Sequence, residues 1–120
     1  MSEQAAVVEE KIAVPEEATR PAPQRPKHKP LPPYAVIVEN DEDHTYPYVI
    51  EMLQKVFGYA AQRAYLLTRK IDKTGEALVW SGSKEVAELK RDQVRGYGPD
   101  FYASKKVEYP IGVRIEPMPG

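Results

Sequence analysis

The first 33 residues contain no aromatic side chain and hold seven of the 12 prolines: Pro15, Pro21, Pro23, Pro26, Pro30, Pro32 and Pro33. A stretch so poor in bulky apolar groups cannot offset the entropy of ordering itself. Residues 1–33 are therefore predicted to form a disordered, Pro-rich or polyproline-like extension. Apart from Lys11 its charge is segregated, with Glu3, Glu9, Glu10, Glu16 and Glu17 first and Arg20, Arg25, Lys27 and Lys29 after them. A plain spacer accounts for this pattern more simply than a binding motif. The fold must then be built from residues 34–120, a short span but enough for one core.

Charge and cysteine content narrow the partners. With 17 basic and 18 acidic side chains the net charge is -1, which gives no electrostatic reason to expect nucleic acid or an anionic membrane. The absence of cysteine removes disulfides, thiolate metal sites and cysteine nucleophiles. No apolar run approaches the roughly 20 residues of a membrane span, and no basic segment precedes an apolar one as in a signal peptide. A cytoplasmic monomer without cofactor or metal is expected.

Hydrophobic periodicity lays out the domain. Ala35-Val36-Ile37-Val38 is a β-branched run that fits a strand covered on both faces. The polar stretch Asn40 to His44 ends it, and Thr45 is predicted to cap a helix with Tyr46-Pro47 in its first turn. Val49, Ile50, Leu53, Val56 and Phe57 follow at helical spacing, and Gly58 stops the helix. A second helix is predicted over 60–71, with Ala60, Ala64, Leu67 and Ile71 on one stripe. Lys73-Thr74-Gly75 turns into a strand over Ala77-Leu78-Val79-Trp80. Ser83 is predicted to cap a third helix that buries Val86, Leu89, Gln93/Val94 and Tyr97, broken by Gly96, Gly98 and Pro99. Residues 98–109 read as a long surface loop. In the last strand Ile111, Val113 and Ile115 alternate with Gly112, Arg114 and Glu116. The order strand-helix-helix-strand-helix-strand predicts a two-layer α+β (α/β) sandwich: a three-stranded antiparallel sheet with three helices on one face.

On residue chemistry alone, Asn40-Asp41 reads as a strand end with an Asx-turn, and His44 as an exposed loop histidine. The run Asp41, Glu42, Asp43, His44 has the composition of a hard-metal or acid/base site. It is one contiguous loop, however, with no second ligand cluster and no phosphate-binding or nucleophile motif. Catalysis is not expected, and no catalytic or metal residue is assigned.

The stretch Tyr34-Ala35-Val36-Ile37-Val38-Glu39-Asn40-Asp41, with Val49-Ile50-Glu51-Met52-Leu53-Gln54-Lys55-Val56-Phe57 after it, resembles the opening of the ClpS adaptor family of ATP-dependent Clp proteases. Further matches are Ala64, Gly75-Glu76-Ala77, Glu85-Val86-Ala87-Glu88-x-Lys90 and Pro110-Ile111, in order across nearly all of 34–116. The resemblance implies a non-enzymatic adaptor that binds the N-terminal residue of substrates (an N-degron) and delivers them to a Clp AAA+ unfoldase. The implied partners are the N-terminal domain of a ClpA- or ClpC-like unfoldase and substrate proteins with exposed N-terminal residues.

By the same resemblance Asn40 and Asp41 hold the substrate's α-ammonium, a group with three donors and no acceptor. Asp72 stands where many members have a histidine that helps them. Tyr46 and Thr68 replace methionines that gate and line the pocket, Val49 and Ile111 keep its apolar wall, and His44 and Thr45 fall at its rim. Glu85 and Lys90 match positions that dock on the unfoldase; as residues alone they read as a solvated charged face. The departures at Tyr46, Thr68 and Asp72 leave a second expectation open: a ClpS-fold module that docks without reading N-terminal residues.

Overall fold

A computed structural model describes residues 31–119; one compact unit spans Pro32–Gly120. Nearly all of the expected 1–33 extension lies outside the described residues. The elements are β1 (Tyr34–Glu39), α1 (Tyr46–Phe57), α2 (Ala61–Thr74), β2 (Glu76–Gly82), α3 (Lys84–Arg95) and β3 (Val113–Pro117).

β1 is the central strand, in the sheet order β2-β1-β3, antiparallel to both neighbours. That position explains its unbroken apolar run: Ala35, Val36, Ile37 and Val38 are all buried. Val36 and Val38 pack with Tyr48, Met52 and Leu53 of α1, Ala64 and Ile71 of α2, and Ala87 and Val94 of α3 into one core. Each large apolar side chain buried there contributes about 1.5–3 kcal/mol. β2 and β3 flank this strand, and the Met118 N–H donates to the Pro33 carbonyl (2.8 Å) beyond its end.

The caps read from sequence are present. The Thr45 hydroxyl accepts from the Tyr48 N–H and Pro47 sits in the first turn of α1. The Ser83 hydroxyl accepts from the Val86 N–H. Gly58 and Gly75 close α1 and α2 in the left-handed conformation, at φ 76° and 93°, which favours glycine.

Two boundaries and one buried face differ from expectation. α2 continues past Ile71 to Thr74 because the glycine that ends it is Gly75, whose N–H donates to Ile71 O. β3 starts at Val113, so Ile111 precedes the strand; the Glu39 N–H donates to Gly112 O (2.9 Å) there. The predicted stripe of α3 is misplaced: Val86 (37 % exposed) and Leu89 (53 %) face out, while Ala87 and Val94 are buried. At 3.6 residues per turn the inward stripe runs through Ala87, Lys90/Arg91 and Val94, and alanine allows the helix to sit close to the sheet.

Candidate functional site

Between the end of β1, the first turns of α1 and the second half of α2 lies a cavity of ≈ 360 Å³. Asn40, Asp41, Tyr46, Val49, Thr68, Asp72 and Ile111, together with His44 and Thr45, all border it. Two lining residues were not foreseen there, Glu42 and Ile71. Ile71 was visible in the sequence only as a core residue of α2, and Glu42 only as one acid in a polar run.

The floor is apolar and built from core positions. Val49 (5 % exposed), Ile71 (2 %), Ile111 (2 %) and Thr68 (3 %) are buried. Thr68 donates its hydroxyl hydrogen to Ala64 O (2.7 Å) one turn back, so its remaining contribution to the floor is largely its methyl surface.

The rim is acidic. Asp41, Glu42 and Asp72 line the cavity, and among the described residues no lysine or arginine does. Asp41 also holds the loop together. Its Oδ1 accepts from the Asp43 and His44 N–H groups (2.9 and 2.8 Å), the Asx-type turn expected of this residue. Burial raises the Asp41 carboxyl pKa, but those two backbone bonds and the His44 ring outweigh it and hold the group below its ordinary value. It is therefore an anion throughout the neutral range. A carboxylate has about four lone-pair sites, so three bonds leave capacity for another donor. The exposed Asn40 is fixed through its N–H, which donates to Gly75 O (2.8 Å).

Asp72 is joined across the cavity edge to Tyr46, whose hydroxyl donates to Asp72 Oδ2 (2.7 Å). That bond, with some burial, raises the tyrosine's pKa. Tyr46 thus bars the edge between α1 and α2.

His44 is not the exposed loop histidine expected. Its side chain is only 1 % exposed, with Nδ1 2.6 Å from Asp41 Oδ2 and Nε2 3.0 Å from the Tyr109 carbonyl oxygen. Tyr48 and Tyr109 rings flank it, at 5.0 and 5.3 Å. Among the described residues no three acidic or histidine side chains are placed to hold a metal ion, and Asp41, the acid against His44, is engaged in these hydrogen bonds.

Thr45 is held from an unexpected quarter. Asp100, fully buried, accepts from the Thr45 N–H (2.8 Å) and hydroxyl (3.1 Å) and from the Tyr102 N–H (2.8 Å). A carboxylate at the start of α1 also complements the helix dipole. Asp100 pairs with Val107 in an isolated antiparallel bridge. The 98–109 segment, expected to be a plain surface loop, is therefore pinned to the cavity wall. No periodicity links residues 55 positions apart, so the sequence carried no signal for this contact.

The two positions assigned to docking differ. Glu85 is exposed in the first turn of α3. Lys90 is half-buried, and its ammonium donates to Val56 O (2.8 Å) near the C-terminal end of α1, a favourable place for a cation. No described helix is long and apolar enough to cross a membrane.

The sequence matches the family described as "ATP-dependent Clp protease adaptor protein ClpS" over residues 29–100. A ClpS adapter protein of Nostoc sp. is 41% identical over 71 residues, covering 58% of this chain and 73% of the relative. One from Pectobacterium carotovorum is 33% identical over 93 residues, covering 78% of this chain and 82% of its own length. A solved structure of Agrobacterium tumefaciens ClpS2 bound to L-phenylalaninamide superposes with a TM-score of 0.63 at 21% identity, covering 74% of this chain and 100% of that one. The α+β architecture is shared with it. The chain belongs to the ClpS family of ATP-dependent Clp protease adaptors and is not an enzyme.

Proposed function

We propose that the cavity binds the N-terminal residue of substrate proteins, which the chain delivers to a Clp AAA+ unfoldase for degradation. One observation carries this reading: an acidic, cation-seeking rim stands over an apolar floor in a single cavity. In this reading Asn40, Asp41 and Asp72 hold the α-ammonium. Val49, Thr68, Ile71 and Ile111 receive the side chain, and Tyr46, His44 and Thr45 shape the rim. A carboxylate about 4 Å from an ammonium contributes on the order of 4 kcal/mol before desolvation is subtracted. Burying a leucine or phenylalanine side chain adds roughly 1.5–3 kcal/mol. The ammonium anchors and the floor discriminates.

Delivery needs a second surface, which we assign to α3, with Glu85 at its start and the exposed Val86 and Leu89 beside it. A ClpA- or ClpC-like N-terminal domain is the partner, and the adaptor works as a cytoplasmic monomer. In the complex Lys90 supports α1 more than it touches the partner, since its ammonium is already committed to Val56 O.

The test is fluorescence polarisation with peptides beginning with Leu, Phe, Tyr, Trp, Arg or Met, each paired with an N-acetylated control. Binding of at least one free-amine peptide, lost on acetylation, is the expected result. Binding indifferent to acetylation sinks amine recognition. The second reading, docking without cargo, draws on the Tyr46–Asp72 bond and on the three bonds already made by Asp41. Binding of the unfoldase domain with no peptide bound would favour it.

A further inference from the structure

Beside the first cavity is a larger cleft, ≈ 710 Å³, between the β1–α1 loop and residues 103–109. Glu42 lines both. We propose that this cleft is a second subsite, which takes the two or three substrate residues that follow the bound N-terminal one. The inference rests on the amine-binding reading above and extends it along the substrate chain.

The course of the substrate follows from what is closed. Buried Val49, Ile71 and Ile111 block the floor of the first cavity, and the Tyr46–Asp72 bond bars the edge between α1 and α2. A chain anchored at Asn40 and Asp41 therefore leaves past Glu42, which opens on the second cleft. The volume of that cleft is in the range of sites that bury small ligands, and extended residues advance 3.2–3.4 Å each.

The far wall is built to hold its shape. Besides the Asp100 contacts to Thr45, the Tyr109 hydroxyl donates to Asp43, and its carbonyl oxygen accepts from the His44 ring. The bond to Asp43 pushes the Tyr109 pKa up to about 12, so the donor persists at any physiological pH. The Tyr102 hydroxyl donates to Glu51 of α1. The family match ends at residue 100, so the wall from 103 to 109 is not part of the matched region.

Its two walls differ in charge: Glu42 and Asp43 stand on one side, and Lys105, Lys106 and Glu108 on the other, which leaves the loop wall one positive charge in excess. Lys106 is partly engaged, 3.8 Å from Glu108 and over the Phe101 ring; both lysines are exposed. The loop wall therefore draws acidic side chains placed beyond the first substrate residue.

The experiment compares single-residue amides of the six N-terminal residues with heptapeptides that begin with the same residue and carry Asp at the third and fourth positions. Both are measured against the full chain and against the K105E/K106E variant, with thermal unfolding as the check on folding. The heptapeptide is expected to bind the full chain about three- to tenfold more tightly than the amide, as one or two exposed charge contacts allow. The variant loses that gain while its affinity for the amide is unchanged. Equal affinity of amide and heptapeptide for the full chain overturns the subsite and leaves amine recognition standing. A gain that survives in the variant overturns it as well. If neither ligand binds, amine recognition itself fails, and the subsite with it.

Discussion

The floor and the rim of the cavity are held by different physics. Val49, Thr68, Ile71 and Ile111 are core positions that also face the cavity. Their place is set by how α1 and α2 pack on the sheet, so a change there disturbs fold and floor together. Asp41, Tyr46 and Asp72 are more exposed, and hydrogen bonds rather than packing orient them. A change at the rim can alter binding while the fold persists. The floor thus ties this chain to its scaffold, and of its departures from the family pattern two, Tyr46 and Asp72, lie at the rim and one, Thr68, in the floor.

The largest expected effect is at the floor. Ile71→Ala removes a side chain that is 2 % exposed and should cost about 2–5 kcal/mol of stability, read as a shifted denaturant midpoint. A loss below about 1 kcal/mol would mean the floor is not part of the core. Asp100→Ala should follow, at about 1–3 kcal/mol, because it strips the partner from the Thr45 and Tyr102 N–H groups. That variant tests whether the rim depends on the 98–109 loop: the cavity's affinity for a free-amine peptide should fall along with the thermal midpoint. Unchanged affinity in a still-folded variant would separate the two.

Smaller effects belong to the rim alone. The Asp41 carboxyl is held below its ordinary value, so the interactions of its anion are complete at neutral pH. They are lost only as pH falls through the lowered pKa, below the usual carboxylate range near 3.9. The substrate ammonium deprotonates near pH 8. Affinity should therefore be level between about pH 5 and 7, fall above about pH 8, and fall again in acid. An affinity that rises above pH 8 would show that no ammonium is bound. Smallest of all, Tyr46→Phe breaks an exposed bond and should change stability by no more than about 1 kcal/mol. It frees Asp72 for the amine, so affinity should hold or improve; a tenfold loss would make Tyr46 a direct ligand.

The same contrast explains what could be read from the sequence. Local rules reach the scaffold: the β-branched run at 35–38, the caps Thr45 and Ser83, and the glycines 58 and 75. They reach the floor too, because Val49 and Ile71 follow helical spacing. They fail where a contact joins distant segments. Nothing near His44 indicates that Tyr109 covers it, or that Asp100 caps the helix at Thr45. α3 misled for another reason. Val86 and Leu89 are the larger apolar residues, yet the small Ala87 takes the inward position, and hydrophobicity alone ranks them the wrong way. The positions bordering the cavity became legible through family resemblance rather than through periodicity.

The central claim is that the Asp41 carboxylate meets a substrate ammonium. A double-mutant cycle tests it most directly, with the affinity of one peptide measured in four combinations: free or N-acetylated, against the full chain or its Asp41→Asn variant. The account predicts that either change alone weakens binding about tenfold or more, and that acetylation costs distinctly less in the Asp41→Asn variant than in the full chain, since part of the interaction it removes is already gone. Losses that simply multiply would contradict it and would leave Asp41 as the residue that holds the turn.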